Sequence, residues 1–343
     1  MKVKYSDIKD YSLLFIILTI FIVSSMSGNL SLILIPIFLL LKEAFNNIIS
    51  ILVILILSPL LLLTSFSNFS SYVLLSLTIV LFSSRFNGKE DLVFNMYVLI
   101  LSPLLISLPF FDQATGTNLT ILTFGERLYP LIYLPNLTLK IHPNLIGITA
   151  AITAAICIFK KRFILLIPII YVLFLTQSRS AIIFLIIFLV ISTNISVKKI
   201  AYMSVVLSLI ITIIMMTPIK DRMVDYQDNG RLETYALYYS ILDKSFPLGY
   251  PLKEYFNLLD GNAGIDNFYL TGLVEYGFLF PYLIVCFLLY FSLNYKDEHY
   301  KIRLGFFIAF LLQGIVESSL LGSSLLWPIF ALCFNSFSRK LFK

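Results

Sequence analysis

Two kinds of side chain in this sequence stand where they could act on a charged substrate: arginines among polar residues at the margins of apolar runs, and carboxylates at the entry to one such run. Arg179 sits in Thr176-Gln177-Ser178-Arg179-Ser180, between two apolar stretches, and Arg231 follows Asn229-Gly230 in a long polar interval that also holds Arg222. A guanidinium presents a planar fork of donors that matches phosphate oxygens two at a time, which an ammonium cannot do. The carboxylates are Asp266 and Glu275, in Asp266-Asn267-Phe268-Tyr269 and Glu275-Tyr276-Gly277. An acid held at such an edge can accept a proton from a hydroxyl. Neutral hydrogen-bonding groups accompany them: Gln177, Ser178, Asn267, Tyr269, and Asn144 of His142-Pro143-Asn144. Each also has a plain structural reading. Arg179 is equally a helix end snorkelling to the membrane surface, the segment around Arg222 an ordinary charged loop start, and each acid an interfacial helix residue.

The elements that must hold these residues are apolar. Of 343 residues, 59% are hydrophobic and only 13% charged, with 31 Phe and 20 Tyr. This is the composition of a polytopic membrane protein. The apolar runs number about twelve, among them Tyr11 to Met26, Ile48 to Leu63, Leu92 to Phe111, Leu145 to Phe159, Ile200 to Thr217 and Phe268 to Leu293. Several fall short of the roughly 20 residues that cross a bilayer, so their ends must recruit polar residues. The fold expected is all-α, about twelve transmembrane helices in one integral membrane domain over residues 1–343. A net charge of +6 belongs to cytoplasmic loops here and gives no reason to expect nucleic acid. Cys157, Cys286 and Cys333 lie inside apolar runs and read as small core side chains. His142 and His299 are too few and too far apart for a metal centre, and no dinucleotide, P-loop or hydrolase motif is present.

Orientation follows from the basic residues. Lys2, Lys4 and Lys9 precede the first run, and the SSMSGN after it is a poor cleavage site, so the run reads as a retained helix. With the N-terminus inside, alternating spans place 17 of the 25 Lys and Arg in the cytoplasm, Arg85, Lys89, Lys160, Lys161 and Arg162 among them. Both termini are therefore expected inside. The outer face then carries a first loop over residues 112–144 and a larger one over 218–265. Loops of that length are uncommon unless they bind or cover something. Within the larger loop, the segment after Asn229-Gly230 reads as an amphipathic helix ended by Pro247 and Gly249, with Tyr235, Tyr238 and Tyr239 suited either to the bilayer interface or to covering the bundle.

The order of the motifs resembles a known family. HPN at 142–144, TQSRS at 176–180, a large external loop holding NGR and PLGY, and then DNFYLTGLVEYG from Asp266 are similar to the O-antigen polymerase (Wzy-type) and O-antigen ligase superfamily of bacterial polysaccharide assembly. The likeness covers about residues 140–280 by motif and the whole chain by topology. It implies a metal-independent, cofactor-free membrane glycosyltransferase with a GT-C-like helical fold in the bacterial cytoplasmic membrane. Its donor would be a glycan on undecaprenyl diphosphate, and a chain-length regulator is an implied membrane partner. Ligases of this family usually carry His-Asn where this chain has Asp266-Asn267, which favours the polymerase. Displacing the lipid diphosphate develops negative charge that a fixed cationic clamp stabilises, a role that falls to Arg179 and Arg231 with Arg222 as a weaker third. Asp266, then Glu275, would accept the proton of the attacking sugar hydroxyl. A flippase for the same lipid is the rival of a different class, but transporters gather charge near the bilayer midplane, whereas here it collects on one side. Reporter fusions after Lys161 and Lys199 are expected to behave as cytoplasmic, and fusions near Asn136 as external; an external signal at Lys199 overturns the topology.

Overall fold

The computed structural model describes residues 5–27, 30–44, 69–86, 88–111, 128, 131–134, 137–140, 142–192, 236–240, 267–277, 300–317 and 323–334. These form ten α-helices: α1 Tyr5–Ser27, α2 Leu34–Ala44, α3 Phe69–Arg85, α4 Glu90–Ser107, α5 Pro143–Phe159, α6 Phe163–Leu175, α7 Arg179–Ser192, α8 Phe268–Tyr276, α9 Tyr300–Gln313 and α10 Trp327–Leu332. The chain is thus predominantly helical. Two stretches, Ile8–Ser27 and Glu90–Phe110, are long and apolar enough to cross a membrane, and α5, α6 and α7 are shorter apolar helices. Of the expected spans, Ile48 to Leu63 and Ile200 to Thr217 lie outside the described residues.

One departure from an all-helical chain falls in the first expected loop. Residues Leu131–Leu134 and Leu137–Lys140 pair as antiparallel strands β1 and β2, with Leu131 opposite Lys140 and Leu134 opposite Leu137. The segment LIYLPNLTLK has β-branched and aromatic residues flanking Pro135-Asn136, a hairpin signal that its apolar content masks when read as loop. In the larger expected loop, residues 236–240 are helical. Tyr238 there is fully buried while Tyr239 is exposed, so the two rings serve different surroundings.

The chain divides into two compact units, residues 97–229 and the remainder. In the larger unit, α2 and α10 pack against α3, and α9 against α10. The α9–α10 seam is aromatic: Phe330 meets Phe310 and Phe334 edge-on, each at 5.4 Å between centroids, and lies nearly parallel to Phe307 at 6.2 Å. Edge-on and offset rings add to the area they bury because the positive rim of one meets the negative face of another. Phe21 of α1 closes on Trp327 at 6.3 Å. Large apolar side chains also face outward, including Phe38 of α2 and, in the other unit, Ile164 and Ile167 of α6. Water disfavours such faces, whereas hydrocarbon accepts them without cost.

Polar contacts in this unit separate into two ends. At one, the carboxylate of Asp10 on α1 accepts from both Arg85, at the tail of α3, and Lys89, just before α4. At the other end of α1, the hydroxyls of Ser25 and Ser323 are 2.8 Å apart and the Ser324 hydroxyl donates to the Phe21 carbonyl. Arg85 and Lys89, four residues apart in the connection between α3 and α4, thus meet Asp10 at one end of α1. Removing Asp10 strands two cations around a site where its own side chain is 6% exposed. Because Lys89 is 37% exposed, water takes over part of the loss. Asp10→Ala is expected to lower stability by roughly 2–3 kcal/mol, read as a drop in the thermal unfolding midpoint of detergent-purified protein.

Candidate functional site

In the smaller unit the His142-Pro143-Asn144 motif begins α5. His142 is the N-cap, its Nδ1 accepting from the Asn144 amide at 3.3 Å, and Pro143 occupies the first turn, where a missing N–H costs nothing. The body of α5 is apolar all round and correspondingly buried, from Ile146 to Cys157. Both α6 and α7 pack on it, and its alanine pairs, Ala150-Ala151 and Ala154-Ala155, are fully buried. Its buried hydroxyls turn inward, Thr149 donating to the Leu145 carbonyl and Thr153 to that of Thr149, both at 2.8 Å.

The described connections between α5 and α6 and between α6 and α7 use left-handed residues that are not glycine. After α5, Lys161 has φ 54°, with its amide on the Ile158 carbonyl and the Arg162 amide on the Cys157 carbonyl. Those are the two bonds of a Schellman turn. After α6, Gln177 has φ 50° and its amide bonds the Phe174 carbonyl at 3.0 Å. Here the outer bond is relayed by a side chain: the Thr176 hydroxyl donates to the Leu173 carbonyl at 2.7 Å and accepts from the Ser178 amide at 3.4 Å. Holding a non-glycine residue left-handed costs about 1 kcal/mol, which the bonds on either side must overcome. The turn then passes into α7, where the Ser178 hydroxyl accepts from the Ala181 amide at 3.4 Å and lies 3.2 Å from that of Ser180.

This turn rests on α5 at Gly147. A methyl there would stand 2.7 Å from the Ser178 Cβ, 2.8 Å from the Thr176 hydroxyl and 3.2 Å from the Ala181 Cβ, so nothing larger than glycine fits without movement. The HPN helix and the TQSRS turn, 32 residues apart from Asn144 to Thr176 in sequence, are thereby brought into contact. Leu128, from the first expected external loop, joins them by donating its amide to the Leu175 carbonyl at 3.0 Å. Thr176, Ser178 and Ser180 are buried; Arg179, the first residue of α7, is exposed.

In the larger unit Asn267-Phe268-Tyr269-Leu270 opens α8, and its donors meet the tail of α9. Asn267 is the N-cap, its Oδ1 accepting from the Tyr269 and Leu270 amides at 3.0 Å each. Its Nδ2 donates to the Ile315 carbonyl at 2.8 Å, the Phe268 amide to the Gly314 carbonyl at 2.8 Å, and the Tyr269 hydroxyl to the Leu311 carbonyl at 2.7 Å. Residues 314–317 supply the remaining amides, to the carbonyls of Phe310, Leu312 and Gln313. Every carbonyl from Phe310 to Ile315 is thus occupied, although the side chains of Leu312, Ile315 and Val316 are exposed. Gly277 is the C-cap of α8.

No family model, curated protein or solved structure matches this chain. The site therefore rests on its own geometry.

The expected site residues fall into three groups. Asn144, Gln177, Ser178 and Arg179 are gathered in the smaller unit. Asn267 and Tyr269 bind the α8–α9 junction, and Glu275 lies in the last turn of α8. Asp266, Arg222 and Arg231 lie outside the described residues. Gly147 carries no charge that would single it out in sequence, and Thr176 enters the sequence reading only as the first residue of TQSRS. Two buried polar residues near the α9 tail, Gln313 and Glu317, stand outside every motif. Among the described residues no three His, Cys, Asp or Glu side chains gather as metal ligands. Asn267→Ala removes the cap and leaves the Ile315 carbonyl unmet, an expected loss of about 2 kcal/mol. Asn267→Asp keeps the acceptors but not the donor and should fall between, as thermal unfolding of the three proteins would report.

Proposed function

We propose that this chain is a polytopic membrane glycosyltransferase of the O-antigen polymerase type, built on a GT-C-like bundle of about twelve spans. It moves a growing glycan from undecaprenyl diphosphate onto a lipid-linked repeat unit at the outer face of the cytoplasmic membrane, with both termini inside. The observation that carries this reading is the place of Arg179. A cation at the first position of a helix opposes the positive end of the helix dipole and weakens the helix by about 0.3–1 kcal/mol. No acidic residue stands in that first turn to offset it. An anion bound at the same place reverses the sign, since guanidinium and dipole then act together on it. A diphosphate leaving group is such an anion, and the negative charge it gains as the glycosidic bond breaks is what the arginine stabilises.

In this mechanism Arg231 would be the second cation acting on the leaving group and Arg222 a weaker third, and Asp266, then Glu275, would receive the proton of the attacking hydroxyl while the sugar–phosphate bond breaks. The charge distribution supports transfer over transport. Among the described residues the buried charged side chains Asp10, Glu90, Arg303 and Glu317 all stand within two turns of a helix end, and no charge occupies the middle of a described helix. Transporters of charged lipids place such groups near the midplane. The Asp266-Asn267 pair in place of His-Asn supports the polymerase over the ligase.

The test is growth of polymer on purified lipid-linked repeat units, scored per molecule of membrane-inserted protein. Arg179→Lys keeps the charge but not the fork and should cost about tenfold or more in rate, with Arg179→Ala costing more. Near-normal specific activity in Arg179→Lys would assign Arg179 to snorkelling and remove it from the clamp.

A further inference from the structure

We propose that Gly147 and Gln177 are positioning residues that set where Arg179 is presented, an inference that rests on Arg179 being the diphosphate-gripping group. The TQSRS turn has little freedom of its own. Thr176 is fully buried and its hydroxyl is committed on both sides, to the Leu173 carbonyl and the Ser178 amide. Ser178 is 2% exposed and bonded to the first turn of α7. Gln177 between them takes the left-handed conformation that turns the chain from the end of α6 into the start of α7, two residues before Arg179. A methyl at position 147 would press on both neighbours of Gln177, standing 2.8 Å from the Thr176 hydroxyl and 2.7 Å from the Ser178 Cβ, and would come within 3.2 Å of the Ala181 Cβ just beyond Arg179.

A side chain at 147 therefore has no flexible tip to push aside. Two of the three nearest atoms are Cβ carbons, fixed to the backbone, and the third is a hydroxyl whose rotation breaks two bonds. What yields is the turn itself, and Arg179 moves with it. Gln177 acts on the same segment by its backbone rather than its amide. A β-branched residue at φ 50° is disfavoured, so Gln177→Val pulls the turn toward another conformation, while Gln177→Gly adopts the observed one freely.

Two readouts test this. The first needs no activity: in a chain whose Cys157, Cys286 and Cys333 are replaced by serine or alanine, Arg179→Cys is labelled with a membrane-impermeant thiol reagent, with and without Gly147→Ala. The expected result is a change of about threefold or more in labelling rate, the kind of shift a displaced side chain gives when exposure alters. An unchanged rate overturns the proposal. The second is polymer formation per inserted molecule. Gly147→Ala should cost about 10- to 100-fold in the wild-type background and nothing further in the Arg179→Ala background, because groups acting as one unit do not lose twice. Losses that simply multiply would mark Gly147 as general packing. Should Gly147→Ala fail to reach the membrane, Gln177→Val and Gln177→Gly decide by the same readouts: Gly retaining more than Val supports the backbone role, and equal losses assign Gln177 to substrate contact instead. A wild-type chain that elongates nothing removes the enzymatic reading, while the labelling arm still decides whether Gly147 places residue 179.

Discussion

A helix that ends within apolar surroundings leaves carbonyls and amides that water cannot reach, and each must find a partner in the chain. This requirement shapes both described regions around the motifs. In the larger unit, the tail of α9 and the head of α8 answer each other: acceptors at Leu311, Gly314 and Ile315 take donors from Tyr269, Phe268 and Asn267. Neither helix end is closed without the other. Gly314 permits the approach, for a methyl there would meet the Phe268 Cβ at 3.2 Å. In the smaller unit the same demand is met locally, by two Schellman-type turns, one of them completed through the Thr176 hydroxyl.

The two solutions differ in what they leave accessible. At the α8–α9 junction the oxygen of the Asn267 amide accepts two bonds and its nitrogen donates one, so at most a single N–H is left for anything else. The polar groups of Asn267 and Tyr269 serve the junction first. In the TQSRS turn, Thr176 and Ser178 are used in the same way, and the exposed member of the motif is Arg179. A motif that reads as a set of equivalent polar residues thus resolves into supports and one presented cation.

How far the sequence reveals this depends on the kind of signal. The helices around Leu145 to Phe159 and Phe163 to Leu175 are legible because long apolar runs admit few other structures. The pairing of Asp10 with Arg85 and Lys89 is not legible, because an acid beside Lys9 at the start of an apolar run belongs to no motif. The hairpin over 131–140 is hidden because its residues are nearly as apolar as those of a span, and its first strand, Leu-Ile-Tyr-Leu, shows no alternation of polar and apolar residues. The stops at Lys161 and Gln177 are hidden because a left-handed cap ordinarily announces itself with glycine or asparagine, and neither stands there. Gly147 is hidden for the opposite reason: a glycine among Ile and Ala in an apolar run reads as one more small residue, and only the path of α7 shows that it faces Ser178. Contacts across sequence distance leave no local trace.

These hidden residues bear on how an arginine can be both costly and retained. A cation at the head of α7 gains nothing from the helix it begins, and long flexible side chains ordinarily swing away from such a position. The side chain of Arg179 has that freedom, but its backbone follows a left-handed residue two positions earlier, and Ser178 and Ala181 on either side of it stand where only glycine fits at position 147. Rigidity there has no use in a snorkelling residue, whose tip finds the interface whatever its root does. It has a use where a guanidinium fork must meet two oxygens at once, because the misplacement of the root by even an ångström carries through to the fork and forfeits one of the two bonds. On the reading proposed, the packing of the turn would matter to an anion clamp as much as the charge it carries.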